Sequence, residues 1–285
     1  QNLSMKPLKN VSIVGVGLIG GSIGLALRER GLAETIVGIG RRQGSLRIAR
    51  RAGAVTTTTV DLAKGVAEAD LVILCSPVGR IVEHARLAAE HAPEGTLITD
   101  VGSTKRTIVE AIETKLPRSC RFLGGHPLAG SEKTGPSYAQ ADLFEGRIAI
   151  LTPTLNTHAR DYDLLESFWQ ALGAVVVKMA PDEHDRTLAM ISHLPHMAAS
   201  LLAATMPEPY LRLGGSGLRD TTRLAAGSPE LWRQIVATNR ENVLDALEKF
   251  GHKLAEFHAA LRDRNFDRVE QLLTEGKKNR DALGS

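Results

Sequence analysis

Short apolar runs alternate with longer amphipathic stretches through roughly the first two-thirds of the chain. The runs are Asn10–Val14, Thr35–Ile39, Asp70–Cys75, Gly95–Val101, Arg121–Leu123, Gly146–Leu151 and Ala174–Val177. They are rich in β-branched residues and end at glycine or polar turns, which predicts buried strands. Between them, the stretch through Ile23, Leu25, Ala26 and Leu27, the stretch Ile81–His91 and the stretch Arg160–Leu172 carry helical spacing, with Gly31 as a C-terminal stop. Strand–helix alternation predicts a mainly parallel sheet with right-handed crossovers. Thr56–Thr59 fits either a short strand or a loop.

From Pro181 the strand signals stop. Asp182–Thr205 forms one long helical pattern, which Pro195 should kink. Ser228-Pro229-Glu230 opens a second, with serine as N-cap and proline at the first helical position. Its stripe runs through Leu231, Ile235, Val236, Val243, Leu244, Leu247, Leu254, Phe257 and Leu261. Unbroken to Arg262, that helix would be roughly 50 Å long, with Gly251 as the place to bend. A charged helix, Phe266–Leu283, follows. The pattern divides the chain into a sheet domain, 6–179, and an all-α domain, 180–285. One small domain cannot bury so long a stripe alone, so packing against a second copy is expected.

Gly15-Val16-Gly17-Leu18-Ile19-Gly20 fits G-x-G-x-x-G between a strand and a helix. In that setting Gly15 makes the tight turn, Gly17 admits a pyrophosphate and Gly20 packs helix on sheet. The N–H groups of Leu18, Ile19 and Gly20 face the phosphates. The fold class is therefore α/β, Rossmann-type. An NAD site commonly has an acidic residue after the second strand; here Gly40-Arg41-Arg42 stands there. Two guanidiniums can grip a 2′-phosphate, which favours NADP and leaves NAD possible. The turn Ser76-Pro77-Val78 after the third predicted strand should reach the same rim.

Other polar turns follow strands and converge there. One is Gly102-Ser103-Thr104-Lys105; another is Gly124-Gly125-His126-Pro127-Leu128-Ala129-Gly130-Ser131-Glu132. An imidazole on a rigid, side-chain-poor loop suits acid/base chemistry. Further on, His193 and His196 share a helix face at i,i+3. No third ligand and no H-E-x-x-H pattern accompanies them, so a cleft-lining or buried pair is expected and no metal. The segment Leu213–Arg223 joins two helical regions as a glycine-rich loop with Arg219, Asp220 and Arg223, suited to clamping a carboxylate or else a solvated linker.

Composition narrows the classes. The net charge of +3 gives no footprint for nucleic acid or a membrane surface. No uninterrupted apolar run is long enough to span a bilayer, and Gln1–Lys6 lacks the apolar stretch of a signal peptide. Two cysteines, Cys75 and Cys120, make no disulfide framework and fit a reducing cytoplasm.

Three motifs in order behind the dinucleotide fold resemble the prephenate/arogenate dehydrogenase family of tyrosine biosynthesis: Gly-Gly-His-Pro-Leu-Ala-Gly-Ser-Glu at 124–132, Ser-His-Leu-Pro-His at 192–196 and Gly-Leu-Arg-Asp-Thr-Thr-Arg-Leu-Ala at 217–225. The resemblance implies oxidative decarboxylation of a cyclohexadienol, prephenate or arogenate. It makes His126 the acceptor of the ring hydroxyl proton and gives Ser103 the orienting turn. It puts Arg223 on the ring carboxylate and His196 near the substrate side chain, with His193 behind it. Asp220 is expected to brace the arginines, and Glu132 to read the side chain. It also implies a homodimer through the helical domain. The family's acidic residue after the second strand is here Gly40. The chain length leaves no room for the added chorismate mutase or regulatory domain of some members. The competing readings are a β-hydroxyacid-type dehydrogenase and a non-catalytic NADP-binding sensor. The first would place a lysine on the helix after the sheet domain, and 181–205 has none.

Overall fold

The computed structural model describes residues 5–284 except 115, 118, 119, 131 and 132. Its sheet domain is built, in chain order, from β1 (Leu8–Val14), α1 (Leu18–Glu29), β2 (Ala33–Ile39), α2 (Gln43–Arg51), β3 (Thr57–Thr59), α3 (Leu62–Val66), β4 (Leu71–Leu74), α4 (Val78–His91), β5 (Leu97–Asp100), α5 (Arg106–Glu113), β6 (Arg121–Pro127), β7 (Ile148–Thr152), α6 (Ala159–Ala171) and β8 (Val175–Lys178). The strands form one sheet in the order β3-β2-β1-β4-β5-β6-β7-β8. All neighbours pair in parallel except β6 and β7.

Successive strand residues point to opposite faces, so each strand feeds two cores. Val11 and Ile13 of β1 and Leu71 and Ile73 of β4 join Ile23, Leu27, Phe168 and Trp169 on one face. Val14, Val72 and Leu74 join Ile81, Ala85, Ile108 and Ile112 on the other. Both faces of the parallel strands are covered, which explains their continuous rather than alternating apolar runs.

The helical domain comprises α7 (Pro181–Leu188), a π-helical turn (Ala189–His193), α8 (Leu194–Ala204), α9 (Glu208–Leu211), α10 (Ser216–Thr222), a 3-10 turn (Arg223–Ala226), α11 (Pro229–Thr238), α12 (Arg240–Arg262) and α13 (Phe266–Ala282). Its small core joins Ala189 to Val243 and Ala246.

Four expectations are corrected. Pro195 falls in the first turn of α8, directly after the π turn. The extra residue of that turn spares an α-helical hydrogen bond at the proline, so the chain reorganises ahead of it. The long last helix breaks at Asn239 (φ −125°, ψ 32°), not at Gly251, which lies inside α12. Asn239 leaves the helix because its amide serves buried partners: it donates to the carbonyl of Asp185 at 2.7 Å and lies 3.2 Å from His193 Nδ1. The Leu213–Arg223 segment is mostly helical, where Thr221 and Thr222 return hydroxyls to the carbonyls of Gly217 and Leu218 at 2.7 Å. Fourth, Pro181–Ala204 is 24 residues long and holds an 18-residue window with a mean hydropathy of 1.2, enough by length and composition alone to cross a membrane. Its buried His184 and Asp185 bind the sheet domain instead.

Candidate active site

The glycine motif opens onto α1. Gly15 has φ +99°, and a Cβ there would sit 2.6 Å from the carbonyl oxygen of Cys75. A Cβ on Gly20 would lie 2.3 Å from the carbonyl oxygen of Gly15, so the helix can approach the strand only without one. Around Gly17 there is nothing within 4 Å of the same position. No side chain caps Gly17, and no acidic residue stands in the first turn of α1. The free N–H groups of that turn over open space fit the pyrophosphate of a dinucleotide. Ser76 Oγ, on the turn into α4, is 2.9 Å from His84 Nδ1. The His84 pKa is lowered chiefly by burial, then by the charge of Arg80, with Glu83 opposing and Arg41 adding a smaller push.

His126 is not on a loop but near the end of β6, opposite Ile150 of β7. The glycines before it allow this. A Cβ on Gly124 would meet Thr152 Oγ1 at 2.6 Å, and one on Gly125 the carbonyl oxygen of Asp100 at 3.0 Å. The strand is braced from beneath by Lys105, wholly buried, which pairs with Asp100 and donates to the Gly125 carbonyl at 2.8 Å. Asp100 also accepts from the N–H of Gly102 at 2.8 Å and of Gly125 at 3.3 Å. Burial pushes the Lys105 pKa down, against the pull of Asp100.

A cleft of about 620 Å³ opens between the two domains. Ser103, His126, His193, His196 and Arg223 all line it, so five residues distant in sequence converge. His126 is 9% exposed; burial, with His184, Lys105 and His193 adding to it, holds its pKa well below the ordinary histidine value. It therefore stands as a neutral imidazole at physiological pH. Its Nδ1 is 2.9 Å from His184 Nε2, and His184 Nδ1 is 2.8 Å from Asp185 Oδ1. Across the cleft His196 stacks on Trp232, centroids 3.6 Å apart at 12°. Gly227 closes over their edges: a Cβ there would come within 2.8 Å of Trp232 Nε1 and 2.9 Å of His196 Cε1. Burial lowers the pKa of His193 to about 4.

Two expected residues stand apart. Asp220 is exposed on α10, outside the cleft, and no ion pair joins it to Arg219 or Arg223 among the described residues. Arg223 starts the 3-10 turn directly after α10. Glu132 lies outside the described residues. Conversely, sequence reasoning missed His184, Asp185, Asn239, Trp232 and the cleft-lining Arg147 and Thr134. None of these carried a local sequence signal: His184 and Asp185 sit in a charged stretch, and only the docking of α7 against the sheet domain buries them. No group of three or more metal-ligating side chains occurs among the described residues.

A phosphate-ready glycine turn and a cleft lined by a neutral buried imidazole and a guanidinium define a dinucleotide-dependent oxidoreductase. The family model "Prephenate dehydrogenase, nucleotide-binding domain" matches residues 23–178, and "Prephenate dehydrogenase, dimerization domain" matches residues 180–275. The chain belongs to the prephenate/arogenate dehydrogenase family. A prephenate dehydrogenase of Bacillus subtilis is 34% identical over 280 residues, 96% of this chain and 76% of that protein. A cyclohexadienyl dehydrogenase of Zymomonas mobilis is 31% identical, covering 98% of this chain and 97% of its own. The crystal structure of prephenate dehydrogenase from A. aeolicus, in complex with hydroxyphenyl propionate and NAD+, superposes with a TM-score of 0.90 at 35% identity, over 99% of this chain and 100% of that one.

Proposed function

We propose that the chain catalyses nicotinamide-dependent oxidative decarboxylation of prephenate to 4-hydroxyphenylpyruvate, with arogenate to tyrosine as the alternative on the same ring. The observation that carries this is the neutral, buried His126 facing a cleft that Arg223 also lines. A neutral imidazole accepts the proton of the ring hydroxyl. Ser103, on the turn after β5, orients that hydroxyl. Arg223 holds the ring carboxylate without being a proton source, because guanidinium stays charged. Departure of that carboxylate as CO2 leaves the aromatic ring. When bound, the nicotinamide supplies the hydride acceptor. His196, fixed flat against Trp232, faces the substrate side chain, and His193 supports the wall behind it.

Gly15, Gly17, Leu18, Ile19 and Gly20 hold the pyrophosphate, with Ser76, Pro77 and Val78 along the nicotinamide half. Arg41 and Arg42, exposed beyond β2, favour NADP; the A. aeolicus relative is in complex with NAD+. A homodimer through the helical domain is supported by the apolar residues that α12 and α13 leave exposed, Phe250, Leu254, Leu261, Phe266 and Leu273. A chain with only two cysteines is in keeping with a cytoplasmic enzyme.

His126→Asn tests the assignment. Expected is a loss of kcat of about 100-fold or more, with cofactor affinity kept. Turnover within a few-fold of the parent would remove His126 as the base.

A further inference from the structure

We infer that His184 and Asp185, both from the helical domain, are positioning residues that fix His126 in the tautomer able to accept a proton. This rests on His126 being the base. The argument runs inward from the carboxylate. Asp185 is buried, and its oxygens accept the backbone N–H of Lys105 at 2.7 Å and of Arg106 at 3.1 Å, at the start of α5. The same carboxylate lies 2.8 Å from His184 Nδ1. An ionised carboxylate only accepts hydrogen bonds, so the proton of His184 resides on Nδ1. A neutral imidazole carries one N–H, which leaves His184 Nε2 bare.

His184 is itself neutral: burial lowers its pKa, opposed by Asp185 and Asp100 and reinforced by Lys105. Its bare Nε2 is 2.9 Å from His126 Nδ1, so that contact is a hydrogen bond only with the proton on Nδ1 of His126. His126 Nε2 then holds the lone pair. On substrate turnover the hydroxyl proton goes to Nε2, and the imidazolium keeps its Nδ1–H bond to His184. The titratable groups facing His126 are Lys105 below β6 and, from the helical domain, His184 and His193. Neither Lys105 nor His193 rivals His184 as an acceptor for Nδ1: Lys105 has only donors, and His193 Nδ1 lies against the Asn239 amide.

The chain crosses between domains. His126 belongs to β6, whereas His184 and Asp185 belong to α7. Asp185 fastens α7 to the start of α5 with the same carboxylate that orients His184. The base is therefore prepared only where the two domains meet. This gives the helical domain a part in the chemistry beyond lining the cleft.

The test pairs His184→Leu with His184→Gln, and reads the His126 tautomer by long-range 1H–15N correlation on histidine-labelled protein. A glutamine can present its carbonyl to His126 Nδ1 and its NH2 to Asp185; a leucine can do neither. In the parent, His126 should show Nδ1–H. His184→Leu should lose kcat about 100-fold with cofactor affinity and KM within about threefold, and should shift His126 toward Nε2–H. For scale, inverting a catalytic imidazole by an Asp-to-Asn change in a serine protease triad costs about 10⁴ in kcat. His184→Gln should recover most of the kcat and the Nδ1–H signal. Equal losses in both variants with an unchanged tautomer would overturn the inference. So would an Nε2–H signal in the parent, which decides the matter even if His184→Leu does not fold. The tautomer needs no substrate, so it separates failure of this inference from failure of the proposed reaction.

Discussion

Replacing Lys105 by methionine should destabilise the sheet domain while leaving its volume almost unchanged. Lys105 and Asp100 are both fully buried and paired. Methionine fills the stem of lysine but leaves Asp100 as an uncompensated charge, a change that typically costs about 3–5 kcal/mol. Asp100 keeps the N–H groups of Gly102 and Gly125, which argues for the lower end, about 3 kcal/mol. For a domain of this size each kcal/mol moves Tm by about 2–4 °C, so the expected drop is about 6–12 °C. The carbonyl of Gly125 also loses its donor one residue from His126, so kcat should fall as well. Adding Asp100→Asn to that background removes the stranded charge and should restore at least half of the lost Tm. The assay is thermal melting, followed by far-UV circular dichroism and by fluorescence, with the buried Trp169 as reporter for the sheet domain. A drop under about 2 °C for Lys105→Met, or a double variant no better than the single, would refute the charge argument.

The acid limb of kcat/KM should lie well below the ordinary histidine range. His126 must be neutral to act, its pKa is depressed by burial, and activity is lost only as pH falls through that depressed value; a limb at or above pH 6.5 would contradict this. Gly20→Ala should weaken cofactor binding at least tenfold by fluorescence titration, because its Cβ would meet the Gly15 carbonyl oxygen at 2.3 Å and force the phosphate turn apart. Arg41→Ala/Arg42→Ala should raise KM for NADP about tenfold or more and leave KM for NAD within about threefold; parallel changes would assign the pair to the surface.

Much of this was legible because buried parallel strands write themselves as continuous apolar runs and because a glycine motif needs little context. Val11, Ile13, Leu71 and Ile73 could hardly be anything else. The convergence of Ser103, His126, His196 and Arg223 followed from turns at the carboxyl ends of strands and from motif order. What could not be read was how buried polar groups pair across domains. Asn239 looks like any helix-interior asparagine until its bonds to Asp185 and His193 are seen, and it displaces the break expected at Gly251. His184 and Asp185 are adjacent polar residues in a charged stretch, a pattern that usually means a solvated face. Their burial depends on α7 docking against α5, a long-range contact without local signature. The π turn ahead of Pro195 was hidden for the same reason.

The most direct measurement is initial rates of reduced-nicotinamide formation with prephenate and with arogenate, each with NAD+ and with NADP+. The account predicts turnover with prephenate, faster with NADP+ than with NAD+ at subsaturating cofactor. No turnover in any of the four combinations, from folded protein that still binds the cofactor, would contradict it.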